Sequence, residues 1–331
     1  MTRERDVATE AVRSAARLCR SVRSSFTDAL ATEKPDRSPV TVADLGSQVL
    51  VSLALDEAFP GDPIMGEEDA TALGAEPAIR IGLAGHLGAV RPGLDDATIE
   101  RALGRCGSAG GSMGRWWTLD PVDGTKGFLR GGQYAIALAL VEHGEVVLGV
   151  LGCPNLERTD GRRGSIFVAE RGRGTWELAL DGDETPERVT VARISDPSAA
   201  RYAESLEAAH SVQGEAARIA ERLGITMPPL RLDSQAKYGL VARGDASIYL
   251  RIPHAGYVEN VWDHAAGSIV VEEAGGVVSD ADGALLDWTT GRRLTRNRGI
   301  IAAPAAIHGA VVAAARQVLD GMPGRSGGLL A

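Results

Sequence analysis

The sequence predicts an α/β protein in two parts: an α+β N-terminal part built on an antiparallel sheet, and an α/β C-terminal part. Three observations carry this. Apolar residues recur at helical spacing near the start (Val12, Ala15, Ala16, Cys19, Val22, Phe26). A run of strand signals from Trp116 to Trp176 is punctuated by the turn Glu142-His143-Gly144-Glu145. Past residue 198, helical and strand-like stretches alternate, the mark of an α/β layer. With 331 residues, 44% hydrophobic and 24% charged, the chain can bury a sizeable core.

Taken in order, the first thirty residues read as one long amphipathic helix. Pro35 and Pro39 rule out a helix in the next stretch, Val40-Thr41-Val42 is a short β-like piece, and Asp44 opens a second helix with Leu45, Val49 and Leu53 on one face. Pro60-Gly61-Asp62-Pro63 ends that helix, and Pro63-Ile64-Met65 leads as a strand into Gly66-Glu67-Glu68-Asp69. Residues 71–114, rich in Ala and Gly, read as a surface insertion with one helix, Asp96 to Leu103, and a lid is one role for it. Strands follow at 116–119, 134–141, 146–151, 166–169 and 174–176. Polar residues 178–198 mark a boundary, dividing the chain into 1–190 and 191–331. In the second part, helices at 215–222, around Lys237, 264–273 and 307–319 alternate with strands at 230–232, 246–250, 277–279 and 299–302. Gly275-Gly276 stops the third of these helices. The tail from Met322 is Gly-rich.

Composition removes several functions. There are 35 Lys plus Arg against 44 Asp plus Glu, and the net charge of −9 argues against a nucleic-acid polymer as partner. Aromatics at 4% are too few for a base-stacking platform. Cys19, Cys106 and Cys153 form no CxxC pair, so they read as reduced, mostly buried thiols. The opening residues carry no apolar core of a signal peptide and no 18-residue apolar run occurs, so the expected compartment is the cytoplasm, without a membrane partner.

Three acidic clusters stand out: Gly66-Glu67-Glu68, Asp120-Pro121-Val122-Asp123-Gly124-Thr125, and Trp262-Asp263-His264. Hard divalent cations take oxygen ligands, and carboxylates from separate segments can converge on them. A tight turn would aim Asp120 and Asp123 at one point, with the Val122 carbonyl as a third oxygen. Gly124 lets backbone approach a ligand, and the amides of Gly124 and Thr125 would open a helix facing a phosphate. Each cluster also has a plain reading. Gly-Glu-Glu is a common solvated turn, Asp-Pro and Asp-Gly are turn dipeptides, and Asp263 would serve as an N-cap beside a structural His264. Their joint occurrence, in this order, favours chemistry.

On these motifs the chain resembles the metal-dependent, lithium-sensitive phosphatase superfamily of inositol monophosphatase and fructose-1,6-bisphosphatase. Within it the chain is similar to the 3′(2′),5′-bisphosphate nucleotidases, through Trp117-Thr-Leu-Asp-Pro-Val-Asp-Gly-Thr-Lys-Gly-Phe128, Asp233-Ser-Gln-Ala-Lys-Tyr238, Tyr249-Leu-Arg-Ile-Pro253 and Trp262-Asp-His-Ala-Ala-Gly267. The resemblance implies the layered α-β-α-β-α sugar-phosphatase fold. It implies two or three Mg²⁺ held by Glu67, Asp120, the Val122 carbonyl, Asp123 and Asp263, and a water activated by Asp44 and Thr125. The substrate side would be Gly124, Thr125, Ser234, Lys237, Arg251 and Asp263, with His210 and Ser211 near the base. Taken without the resemblance, Lys237 is a solvated helix charge, Arg251 a sheet-edge charge and His210 a surface histidine.

The implied reaction is removal of the 3′-phosphate of 3′-phosphoadenosine 5′-phosphate, with 3′-phosphoadenylyl sulfate as a second substrate, in disposal of a sulfotransfer by-product. The partner is then a small phosphorylated nucleotide, and the chain a monomer or homodimer. Two departures from the family pattern stand out. Asp69 replaces the usual serine after Gly-Glu-Glu, and Ala209-His210-Ser211-Val212-Gln213 replaces Gly-His-Ser-Ser-His. The second keeps open a phosphatase of the same fold acting on inositol phosphate, a sugar phosphate or a phosphorylated nucleoside intermediate of a specialised pathway. A nucleotide-binding protein without catalysis would be expected to lack a metal carboxylate or Thr125, and none is missing.

Overall fold

The computed structural model describes residues 2–27, 30–33, 39–73, 77–182, 184–206, 213–254 and 256–320. Helix α1 (Arg3–Ser24) opens on Thr2, whose side chain accepts the Arg5 amide, and buries Ala8, Val12, Ala15, Cys19 and Val22. It is shorter than the thirty residues expected. Past Ser24 the chain turns into a small antiparallel ribbon of β1 (Ala31–Glu33) and β2 (Pro39–Thr41). Helix α2 (Val42–Ala58) starts at Val42 rather than Asp44, because Thr41 is its N-cap. Strand β3 (Ile64–Gly66) follows.

Helix α3 (Pro77–Val90) went unpredicted, since its Gly and Ala content masks the periodicity of Ile79, Leu83 and Leu87. With α4 (Asp96–Gly104) it packs on the N-terminal core, where Ile79, Leu83, Leu87, Ile99 and Leu103 are all buried. Residues 77–104 are thus joined to the core by one face and exposed on the other.

Next come β4 (Arg115–Asp123), the short α5 (Thr125–Leu129), β5 (Ala135–Glu142), β6 (Glu145–Glu157), β7 (Arg163–Glu170), β8 (Thr175–Ala179) and β9 (Glu187–Val189). They form a seven-stranded sheet in the order β3-β4-β5-β6-β7-β8-β9, antiparallel except for the parallel β3–β4 pair. His143 (φ 51°) and Gly144 (φ 83°) make the left-handed turn of the β5–β6 hairpin.

The C-terminal part contains β10 (Tyr202–Ser205), α6 (Gln213–Arg222), β11 (Leu230–Leu232), α7 (Ala236–Arg243), β12 (Ile248–Arg251), α8 (Ala265–Glu273), β13 (Gly276–Ser279), β14 (Ile300–Pro304) and α9 (Ala305–Asp320). Strand β10 was not foreseen; its four residues Tyr-Ala-Glu-Ser carry a weak β signal. It sits inside a five-stranded sheet ordered β11-β10-β12-β14-β13, parallel to β11 and β12, while β14 runs antiparallel to its neighbours.

Side-chain alternation explains the layering. In β5, Ile136, Leu138 and Leu140 face α1 and α2, while Ala135, Ala137 and Ala139 face the other way. That small-residue face lets α8 lie close: a Cβ on Gly149 of β6 would fall 2.4 Å from an Ile269 methyl. The second core joins this face to α7, α8 and to Tyr249, Ile300 and Ala302 of the smaller sheet. A third core places Ile248, Leu250 and Ile301 against α6 and α9. Three cores between five layers give α-β-α-β-α. All three cysteines are buried and unpaired, as expected. Among the described residues no helix is long and apolar enough to cross a membrane.

Candidate active site

Strand ends and helix starts from both sheets converge at one place. On β4 the run Asp120-Pro121-Val122-Asp123 sits at a bulge: Asp120 pairs with Ala137 and Asp123 with Ala135. Pro121 cannot donate to a ladder, so the strand kinks where it carries acids. The Val122 amide donates to Asp120 Oδ1 (3.2 Å), which turns that carboxylate. Gly124 follows with φ 86°, and a Cβ there would meet Ser234 Cβ at 3.1 Å. This brings the Asp123–Thr125 corner against Asp233-Ser234-Gln235. Gln235 N–H donates to Asp123 Oδ2, and Ser234 is itself left-handed at φ 70°.

Asp44 is fully buried at the third position of α2. Its Oδ2 accepts the Thr41 amide (2.8 Å) and hydroxyl (2.6 Å), completing a capping box. Its Oδ1 is thereby aimed at Thr125, whose Oγ1 lies 3.2 Å away and 3.1 Å from the Val122 carbonyl. A hydroxyl has one proton, so Thr125 donates to one of these oxygens at a time. The resemblance implied this pair, and the structure places the two within hydrogen-bond distance; Thr41 was not marked, though the Thr-x-x-Asp spacing of Thr41 and Asp44 signals it.

Glu67 leaves β3 beside β4, its amide donating to the Leu119 carbonyl at 3.1 Å. Gln48 of α2 clamps the next residue through both backbone groups of Glu68 (2.6 and 3.1 Å). Arg292 holds the same strap from the far side. It donates to the Gly66 carbonyl (2.7 Å) and the Ser108 carbonyl (3.2 Å), and its guanidinium stacks 4.5 Å from the Trp262 ring centre. Burial lowers the Arg292 pKa, and the nearby Asp69 and Glu67 oppose that shift. The serine-to-aspartate departure at Asp69 therefore has a counter-charge in Arg292, a residue that no local motif marked.

The carboxylates feel one another. Asp120 is buried, and burial followed by Glu67, Asp123, Asp263 and Asp44 drives its pKa well up. Asp263 is raised by burial, then pulled back by Arg251 and pushed on by Asp123, Glu259 and Glu67. Asp123 is raised by burial against Lys237, Arg251 and the Gln235 amide. Buried like charges of this kind call for a counter-cation, and their donors are hard oxygens. The donors at Glu67, Asp120, the Val122 carbonyl, Asp123 and Asp263 are hard oxygens throughout, the chemistry that suits a divalent cation. Among the described residues the one group of three ligand types within 4.8 Å is Glu259, Asp263 and His264. There Arg251 and His264 already occupy Glu259, so that group is an ion-pair network.

Opposite the acids stand the cations. Lys237 is 2% exposed, so it is no solvated helix charge. Its ammonium donates to the carbonyls of Leu232 (3.1 Å) and Ser234 (2.7 Å), and burial lowers its pKa to about 8 against the pull of Asp123. Arg251 ends β12, an inner strand, and is buried rather than a sheet-edge charge. It grips Glu259 with two nitrogens (2.9 and 2.7 Å) and approaches Asp263 at 3.6 Å. Burial would raise the Glu259 pKa, but Arg251 and His264 together bring it to about 2. The α8 N-cap is His264 and not Asp263, so Asp263 is left facing the site. His210 and Ser211 lie outside the described residues.

Five alternating layers with an acidic cluster at the strand ends define the sugar-phosphatase class of α/β proteins. The chain belongs to the inositol monophosphatase family, whose model matches residues 2–320. Relatives named 3′(2′),5′-bisphosphate nucleotidase include one from Oryza sativa, 47% identical over 318 residues (89% of this chain, 88% of the relative). Another, from Schizosaccharomyces pombe, is 42% identical and covers 97% of both chains. The fold matches the Thermotoga maritima IMPase with a TM-score of 0.65 at 22% identity, over 95% of this chain and 97% of that one. An inositol monophosphatase from Anabaena matches at 0.60 and 20%, over 95% of each. The chain is an enzyme, a phosphoric monoester hydrolase.

Proposed function

We propose that the chain hydrolyses the 3′-phosphate of 3′-phosphoadenosine 5′-phosphate to AMP and phosphate, with 3′-phosphoadenylyl sulfate as a second substrate. The observation that carries this reading is the facing of a carboxylate cluster by two buried cations, Lys237 and Arg251. One phosphate has reason to sit at the acids only when a divalent cation is present. A second phosphate, the one left intact, has reason to sit at the cations.

Glu67, Asp120, the Val122 carbonyl, Asp123 and Asp263 would hold two or three Mg²⁺. Bound Mg²⁺ would neutralise charge on the phosphoryl group and make water acidic enough to attack at neutral pH. The chain's own part is orientation and proton transfer. Thr125 Oγ1 accepts the proton of the attacking water while passing its own to Asp44 Oδ1, which Thr41 keeps aimed at it. The Gly124 and Thr125 amides bind phosphoryl oxygens. Ser234, Lys237 and Arg251 hold the second phosphate and the ribose, and His210 and Ser211 the base.

The test is phosphate release in Mg²⁺ from 3′-phosphoadenosine 5′-phosphate, 3′-AMP, inositol 1-phosphate and fructose 1,6-bisphosphate. The expected kcat/KM favours the bisphosphate nucleotide by on the order of a hundred-fold, the worth of a paired buried charge. Omitting Mg²⁺, or Asp120→Asn, removes turnover. Preference for an inositol or sugar phosphate would overturn the substrate assignment and leave the acidic site standing. Full activity in Asp120→Asn would overturn the site.

A further inference from the structure

Behind the cationic side of the site runs a buried hydrogen-bonded chain of which only Arg251 has a part in the reaction as described. Arg251 Nε and Nη2 donate to the two oxygens of Glu259 at 2.9 and 2.7 Å. Glu259 Oε2 is 3.1 Å from His264 Nε2, and His264 Nδ1 is 2.8 Å from the Tyr238 hydroxyl. All four side chains are buried. The donors are ordered. The Glu259 carboxylate only accepts, so His264 Nε2 carries the hydrogen, and Nδ1 accepts from Tyr238.

The backbone that carries Glu259 and the tyrosine end of the chain are both braced. The Glu259 carbonyl accepts the Leu294 amide at 2.9 Å, and the Val261 amide donates to the Arg292 carbonyl at 3.0 Å. Tyr238 reaches His264 because residue 267 is glycine: a Cβ there would fall 2.1 Å from the tyrosine ring. Also about Arg251 are the Tyr257 ring at 5.9 Å, the Tyr249 and Tyr257 hydroxyls, Asp263, and the charges of Asp123 and Lys237.

We propose that Glu259, backed by His264 and Tyr238, is a positioning residue that fixes the Arg251 guanidinium for the phosphate that is not hydrolysed, and so sets the preference for bisphosphate over monophosphate nucleotides. This rests on the assignment of Arg251 to that phosphate. Glu259 cannot act by charge, because it subtracts one positive charge from the region. It acts by holding a long, flexible side chain in one plane, which removes the ordering cost from the binding step. The two effects differ in sign. If charge alone mattered, Glu259→Gln would tighten the binding of a phosphate.

The experiment measures kcat and KM of the full chain in Mg²⁺ on 3′-phosphoadenosine 5′-phosphate and on 3′-AMP, for wild type, Glu259→Gln and Tyr238→Phe. For Glu259→Gln the expected KM on the bisphosphate rises about ten-fold, with kcat within about two-fold and KM for 3′-AMP nearly unchanged. Tyr238→Phe moves KM the same way by about two- to five-fold, and carries the test if the glutamine variant does not fold. A lower KM, or equal losses on both substrates, overturns the proposal. A wild-type enzyme with no preference between the two substrates overturns the function assignment beneath it, a result visible before any variant is made.

Discussion

Glu259 is also where the fold meets acid. Its folded pKa of about 2 lies below the ordinary 4.5. A depressed carboxylate contributes stability that is fully present above the unfolded value and is lost as pH falls through the folded one. The window is therefore about pH 4.5 down to about 2, and a shift of that size is worth about 3 kcal/mol in all, of which about 2 kcal/mol is gone by pH 3. Burial holds His264 below its usual 6.5, which adds a loss of its own as pH falls below that value. Urea unfolding of wild type and Glu259→Gln at pH 5, 4 and 3 separates the two. The stability gap between the proteins should shrink by about 2 kcal/mol from pH 5 to pH 3, and a constant gap would refute the pairing. Nothing near Glu259 in the sequence announces this role. Its partners Arg251 and His264 stand 8 positions upstream and 5 downstream, and only the fold brings them together with Tyr238 behind His264. The acids of the Asp-Pro-x-Asp-Gly run were legible because their chemistry is local: two carboxylates and a turn within five residues.

Among the elements, the start of α2 shows how one local device serves both folding and the site. Thr41 caps the helix through its own oxygen and holds Asp44 through its proton. Thr41→Val keeps the shape, loses both, and should cost about 1 kcal/mol of stability, the usual worth of an N-cap. The loss should be larger in kcat, about ten-fold or more, because Asp44 then loses the hydroxyl that helps aim its Oδ1 at Thr125 and keeps only the residue-41 amide on Oδ2 from this cap. Thermal melts and initial rates on the same preparation decide it: a stability loss with unchanged kcat would show that Asp44 is held by something else. Elements were legible where period or turn chemistry was strong, as in the β5–β6 hairpin and α8. They were obscured where small residues blur the period, as in α3, or where a strand is only four residues long, as in β10. The Ala-rich face of β5 shows the same effect from the other side, since tight packing under α8 requires the residues with the least pattern.

At the scale of the whole molecule the question is whether the two sheets, each with its own strand order, are separate units. The middle core answers through its composition: Ala137, Ala139 and Phe167 of the larger sheet share it with Tyr249 and Ile300 of the smaller, and with Tyr238 of α7. The boundary near residue 190, proposed from the polar run 178–198, separates segments of sequence that still bury one another's apolar faces. Gly267 lies buried in the first turn of α8, packed against Tyr238 of this core. In an exposed helix, glycine to alanine would stabilise by about 1 kcal/mol. Here the new Cβ would fall 2.1 Å from the Tyr238 ring, and overpacking of that kind costs about 1–3 kcal/mol, so the clash should win. Calorimetry on wild type and Gly267→Ala tests both points. The expected wild-type trace is one transition, and the variant's is one transition at lower temperature, because a core shared by both sheets weakens both at once. A variant trace that splits in two, with only one transition moved, would show that each sheet with its own helices folds independently and that the middle core merely docks them.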